Sequence, residues 1–194
     1  MASPPTPRRI RADAQANRQL IVAAATELFA AHGLSTSLDD IARRAGVGSG
    51  TVHRHFPSKD GLILAVALER LESMVTAAQR RAQARDPRGA LHDQIQEMVI
   101  AGDASAPMKR ALSDTASDVA WSETDVSRRL RDALGVLLAH AQQARDVRQD
   151  LTADDLMSLL AGCYAAIQRA GVPADSVVGH RLTNVLLAGV TNSQ

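Results

Sequence analysis

From Leu38 to Lys59 the chain reads LDDIARRAGVGSGTVHRHFPSK. The groups gathered there are suited to hydrogen bonding and charge pairing. They are not suited to breaking bonds. A short helix from about 49 to 56 presents Ser49, Thr51, Arg54 and His55 on its outer side. Such a helix is the right size to enter the major groove of DNA, where base edges offer donors and acceptors. Gly48 and Gly50 carry no side chain, so Arg54 is left to do much of any direct reading, as a fork onto the O6 and N7 of guanine. A phosphate contact is the other role open to it.

Those side chains need a rigid corner beneath them. The preceding segment, SLDDIARRAG, starts a helix at Ser37, a good N-cap, with Asp39 and Asp40 in the first turn where the helix dipole favours acids. Ala42 is small enough for two helices to cross closely. Gly46 suits the left-handed backbone of a tight turn. Ile41, Val47 and Val52 can meet in the angle, with Phe56 closing the base. The same spacing also describes a helical corner with no DNA role, and spacing alone leaves both readings open.

Other chemistry finds little support. There is no GxSxG, no phosphate-cradling glycine loop and no HExxH, so neither an enzyme nor a cofactor is expected. His53 and His55 are two apart and do not share a helix face as metal ligands. The single cysteine, Cys163, cannot form an internal disulfide. No apolar run approaches the roughly 20 residues of a membrane span. The opening MASPPTPRRIRAD lacks an apolar signal core, so a cytoplasmic location with no membrane partner is expected. The formal net charge of +1 hides an asymmetry. Residues 1–60 carry eight Lys and Arg against five Asp and Glu, or +3; residues 61–194 carry fourteen against sixteen, or −2. The basic end is the one that would meet a polyanion.

The rest of the chain reads as helices. Residues 1–13, with prolines and Arg8, Arg9 and Arg11, read as a flexible basic arm that reaches the minor groove, screens phosphates or stays in solvent. A helix at about 15–32 places Leu20, Ile21, Ala24, Leu28 and Phe29 on one face. After the two short helices, further helices fit at about 59–85, 88–101, 106–118, 123–146, 152–170 and 174–191. That makes about nine helices. Leu156, Leu159, Leu160, Cys163, Tyr164 and Ile167 form a stripe in the penultimate helix; Leu182, Val185, Leu186 and Val190 form one in the last. No strand-like alternation of any length is present, and aromatics are only 2%. The expected fold is all-α: a helix-turn-helix domain over 14–60 and a helical domain over 61–194.

Residues 46–59, GVGSGTVHRHFPSK, together with TSLDDIARRAG before them and ATELFAAHG at the end of the first helix, resemble the signature of the TetR family of bacterial transcription regulators. The likeness is specific over about 17–68 and looser beyond, where VRQDLTADDL resembles a segment often found before the last two helices. The resemblance implies that three N-terminal helices bind operator DNA. A long fourth helix would link them to a helical ligand-binding domain, and the last two helices would pair with their copies in a homodimer. It also implies that ligand binding shifts the fourth helix and changes the spacing of the two reading heads.

Carried over by position, Thr36 and Ser37 fall at phosphate contacts. Ser49, Gly50, Thr51 and Arg54 fall at base-facing and near-backbone positions, and His55 and Lys59 at further backbone contacts. His53 stands where the family usually has a phosphate-contacting tyrosine. In the second half, Met98, Met108, Trp121, His140 and Tyr164 are the candidates to line a pocket for a small, hydrophobic effector, though each also has a plain packing role. Small residues on the last two helices, Gly162, Ala165, Ala166, Ala188 and Gly189, permit close approach of a second copy. The leading expectation is a repressor released from a palindromic operator by its ligand. The alternative is a DNA-binding helical protein that acts through protein partners with no small-molecule inducer.

Overall fold

The computed structural model describes residues 7–113 and 124–191. Eight α-helices appear among them: α1 (Pro7–His32), α2 (Leu38–Ala45), α3 (Ser49–His55), α4 (Lys59–Arg81), α5 (Pro87–Ser113), α6 (Asp125–Gln143), α7 (Ala153–Ala170) and α8 (Val177–Val190). A 3-10 turn, Gly33–Ser35, joins α1 to α2. The all-α expectation holds; extended pairing among the described residues is limited to an isolated bridge between Val147 and Thr191. No helix there is long and apolar enough to cross a membrane. Trp121 lies outside the described residues.

The chain divides into two compact units. One gathers the described residues of 1–67 and of 107–117; the other gathers those of 68–106 and 118–194. The division therefore falls inside α4, at 67/68, rather than at its start. Apolar residues on the first turns of α4, among them Leu62, Ile63 and Val66, are buried.

In the first unit, α1 buries Ile21, Val22, Ala25 and Phe29, a stripe repeating every four residues. Leu20, expected on that face, is 51% exposed. It lies about 100° around the helix from Ile21. The helix also begins at Pro7, earlier than the expected start near 15. Proline suits the first turn because its missing N–H is unpaired there in any case. Arg8, Arg9 and Arg11 thus fall on the first turns of α1.

The second unit packs a core of Val75, Leu91, Ile95, Leu134, Leu137, Leu156, Ile167 and Leu187. Each such side chain contributes on the order of 1.5–3 kcal/mol by leaving water. Caps set the boundaries. Thr152 and Asp155 form a reciprocal capping box at the start of α7, Ser176 caps α8, and Gly171 ends α7 in the left-handed conformation with φ 65°.

A further expectation needs correction. The separate helices expected at 88–101 and 106–118 are a single element, α5, running through Gly102 and Pro107. Intrinsic propensity opposes this, at about 1 kcal/mol for glycine and about 3 for proline. Tertiary contacts oppose the break in turn. The ring of Tyr164 lies against Gly102, where a Cβ would stand 3.4 Å from its Cδ2. The Asp103 carboxylate accepts from the Gln168 side chain, and from the Ala174 backbone N–H at 3.0 Å. Ser105 donates to the carbonyl of Ala101 at 2.7 Å and accepts from Arg70 at 3.2 Å.

Candidate nucleic-acid interface

The corner between α2 and α3 is built on Gly46. Its φ of 69° and ψ of 26° are left-handed. Its N–H reaches the carbonyl of Arg43 at 3.3 Å, and the Val47 N–H reaches that of Ala42 at 3.1 Å. This is a Schellman arrangement, which satisfies carbonyls that would otherwise be orphaned at the end of α2. A Cβ at position 46 would meet no atom within 4 Å. The glycine is therefore required by backbone conformation and not by crowding. Ile41 and Val52 are fully buried, with Ala42 and Phe56 nearly so. The Arg18 guanidinium lies 5.2 Å above the Phe56 ring and covers the base of the corner.

This packing fixes the rotation of α3. At about 100° per residue, the buried Val52 and Phe56 define an inner side, and Arg54 stands nearly opposite them. Gly50, one turn before Arg54, shares its side of the helix. No heavy atom lies within 4 Å of where its Cβ would be. His53 and Arg54 are exposed; Thr51, His55 and Lys59 are half-buried. Arg54 has no hydrogen bond or ion pair among the described residues.

Three of the four hydroxyls singled out by position, those of Thr36, Ser37 and Ser49, behave differently. Each is engaged within the chain. Thr36 is buried, and its Oγ1 donates to the carbonyl of Gly33 at 3.1 Å. Ser37 caps α2: its Oγ accepts from the Asp40 N–H at 3.1 Å and donates to the Asp40 carboxylate at 2.6 Å. Ser49 donates to Asp39 at 2.5 Å, tying the start of α3 to α2. The hydrogen bond from Ser37 is the main reason the Asp40 carboxyl is held below its ordinary range; Arg43, 2.8 Å away, adds to it. Asp40 therefore stays ionised, and two acids flank the corner. The signal for this was present in the sequence as Ser-x-x-Asp, a capping pattern.

Of the five residues proposed to line an effector pocket, Trp121 lies outside the described residues, and the other four make separate contacts. Met98 is half-buried on α5, one turn before Gly102, against which half-buried Tyr164 packs. The Nδ1 of His140 pairs instead with the carbonyl of Ala82, 3.1 Å away. Met108 is buried, but it groups with the first unit. Sequence reasoning missed Gln94. It is fully buried on the same stripe of α5 as Leu91 and Met98, three and four residues away. A polar residue at that register was the sequence signal. An open groove nearby, between α4 and α5, is lined by Arg70, Arg81, Gln96, Glu97, Ile100 and Ala101 among others.

Comparison with known proteins agrees with this architecture. Residues 21–66 match the family model described as bacterial regulatory proteins, tetR family. Residues 86–192 match that of the SbtR-like transcriptional regulator C-terminal domain. The chain is 45% identical over 64 residues to the HTH-type transcriptional regulator SrpR of Pseudomonas putida, a stretch covering 32% of this chain and 30% of that protein. It is 44% identical over 64 residues to the HTH-type transcriptional regulator TtgW, also of Pseudomonas putida, covering 32% and 48%. The match thus spans about a third to a half of the length of these curated relatives. Among solved structures, a TetR transcription regulatory protein from Mycobacterium vanbaalenii is 34% identical, covering 94% of this chain and 99% of that one, with a TM-score of 0.73. The regulator SCO0520 from Streptomyces coelicolor is 28% identical, covering 91% and 99%, also with a TM-score of 0.73.

Proposed function

The chain belongs to the TetR family of DNA-binding transcription regulators, and from that premise we propose that it is a homodimeric repressor released from a palindromic operator by a small-molecule effector. The observation that carries this reading is the outer side of α3. Arg54 stands there unpaired among the described residues, opposite the buried Val52 and Phe56, with the bare backbone of Gly50 one turn away. The guanidinium is free to fork onto a guanine in the major groove. Gly50 lets the helix approach the DNA closely. Thr51 and His53 flank that contact. His55 and Lys59 add backbone contacts at the end of the corner. Ser37 contributes from the start of α2 chiefly through its backbone N–H, since its hydroxyl is spent on Asp40, and Thr36, whose hydroxyl and N–H both bind Gly33, holds the chain in place for that contact.

The dimer would form through α7 and α8. Leu159 is 42% exposed, Val177 84% and Val185 68%. Gly162, Ala165, Ala166, Ala188 and Gly189 are exposed beside them. Apolar side chains left in water on helices that also carry small residues favour burial against a second copy. The effector would bind in the second unit and act on operator affinity through α4. Its apolar character follows from the core described above.

Selection of bound sequences from random duplex DNA, with purified protein at fixed salt, tests this. Recovery of a palindrome with half-sites about one helical turn apart, or a multiple of it, is the expected result. Recovery of no motif, with binding that vanishes as salt rises, would overturn it.

A further inference from the structure

The Gln94 side chain is fully buried in the core of the second unit, on a stripe of α5 that otherwise holds Leu91, Ile95 and Met98. Its Oε1 accepts from the Arg81 guanidinium at 2.6 Å. That contact fixes the amide's orientation, because the reversed amide would set an NH2 group against a cation. The Nε2 then carries both amide hydrogens, and it has no partner among the described residues. Buried donors are almost always paired, and leaving one unpaired costs about 1–3 kcal/mol. A methionine or leucine would fill the same volume without that cost. The amide therefore lacks an acceptor that something else supplies.

The charge nearby narrows what that acceptor is. The Arg81 nitrogen that binds Gln94 also pairs with Glu97 at 2.6 Å. The guanidinium polarises the amide and strengthens its N–H groups as donors. Glu97 offsets its charge, and in the groove beside it Arg70 and Arg81 stand against Asp93 and Glu97, so the groove carries no excess positive charge to balance an anion. A carboxylate brought here would be desolvated with nothing to neutralise it. On its own side of α5, Gln94 has the hydrocarbon and thioether side chains of Leu91, Ile95 and Met98 as its helical neighbours.

We infer that the effector site of the second unit takes a neutral, largely apolar molecule bearing a carbonyl oxygen, and that the Gln94 amide is the group that holds this oxygen. This rests on the proposed ligand-responsive function. It adds the ligand's chemical class and the residue that selects it.

The test uses full-length 15N-labelled protein. The Gln94 side-chain NH2 signals are identified by their loss in Gln94→Met. Two probes with the same carbon skeleton are then titrated: 2-nonanone, neutral with one carbonyl, and nonanoate, its anionic counterpart. The ketone is expected to move the Gln94 NH2 signals saturably and to bind Gln94→Met at least tenfold more weakly, while nonanoate leaves these signals in place. Absence of any shift with the ketone, with magnetisation transfer from a long-lived bound water to the NH2 group, would overturn the inference: the amide would be satisfied by solvent. Equal or tighter binding of nonanoate would also overturn it. Should Gln94→Met fail to fold, the titration of the unaltered protein still decides, with the signals assigned through Arg81→Lys. Operator release is read separately. Ketone binding at Gln94 without release supports the site and defeats the release reading. Intact operator binding with no ketone shift defeats the site alone.

Discussion

Replacing Arg54 with alanine separates reading of bases from attraction to phosphate. The side chain is exposed and makes no hydrogen bond or ion pair among the described residues, so Arg54→Ala is expected to change folding stability by less than about 0.5 kcal/mol. The effect on DNA follows from the helix phase that aims Arg54 away from Val52 and Phe56. A bidentate contact to guanine discriminates by about 1–3 kcal/mol. A two-fold dimer uses it twice, giving roughly 2–6 kcal/mol, or about 30-fold to 10⁴-fold in Kd. Fluorescence anisotropy would compare the selected operator with one altered symmetrically at the guanine pair, at several salt concentrations. The variant is expected to bind both duplexes alike. A phosphate-bound arginine behaves differently: its removal weakens binding uniformly across sequences, and the salt slope drops by about 0.9 for each phosphate no longer neutralised. Preserved discrimination with a shallower salt slope would refute the assignment of Arg54 to a base edge.

Three further outcomes are expected. Gly46→Ala forces an alanine into left-handed backbone with φ 69° and nothing to clash with, so it should cost about 1–2 kcal/mol in thermal unfolding followed by circular dichroism. Gly46→Asn should recover much of that loss, and an unchanged alanine variant would show that the turn is not left-handed. Val185→Asp puts a charge on the exposed face of α8 and should yield monomers in sedimentation at micromolar concentration; an unaltered dimer would place the interface elsewhere. Burial, aided by Arg88 and opposed by Asp93 and Asp86, holds the His92 imidazole below its ordinary pKa. The folded state thus favours the neutral ring: its contribution is complete above the ordinary value and is lost as pH falls below it. Urea unfolding between about pH 7.5 and 5 should show a smaller loss of stability for His92→Gln than for the unaltered chain. Equal losses would show that another group is responsible.

The corner was legible in the sequence because its determinants are local. Ser37, Gly46 and the pairing of Ile41 with Val52 act within a few residues, and each does what its type suggests. The outer side of α3 follows from the same short-range periodicity. The readings that failed depend on distant partners. Gly102 and Pro107 read as a break, yet α5 continues because Tyr164, Gln168 and Ala174 meet it from far along the chain. Leu20 reads as core because hydropathy alone does not fix helix phase to within one residue. Leu159 and Val185 lie on apolar stripes yet are exposed, and nothing in their spacing tells the buried members of a stripe from the exposed ones. The internal use of Ser49 by Asp39 joins two helices, so no single helix's pattern contains it.

Gly50 carries a consequence for how such a regulator changes allegiance. Its missing Cβ faces open space, so any side chain placed there leaves the packing beneath untouched. On the proposed reading of α3, folding and operator preference are thus written at different positions of one short helix. Val52 and Phe56 hold the scaffold; a side chain at position 50 would alter the close approach to DNA and nothing beneath it. A gene duplicate could acquire a new operator by single substitutions there, without first passing through an unstable intermediate.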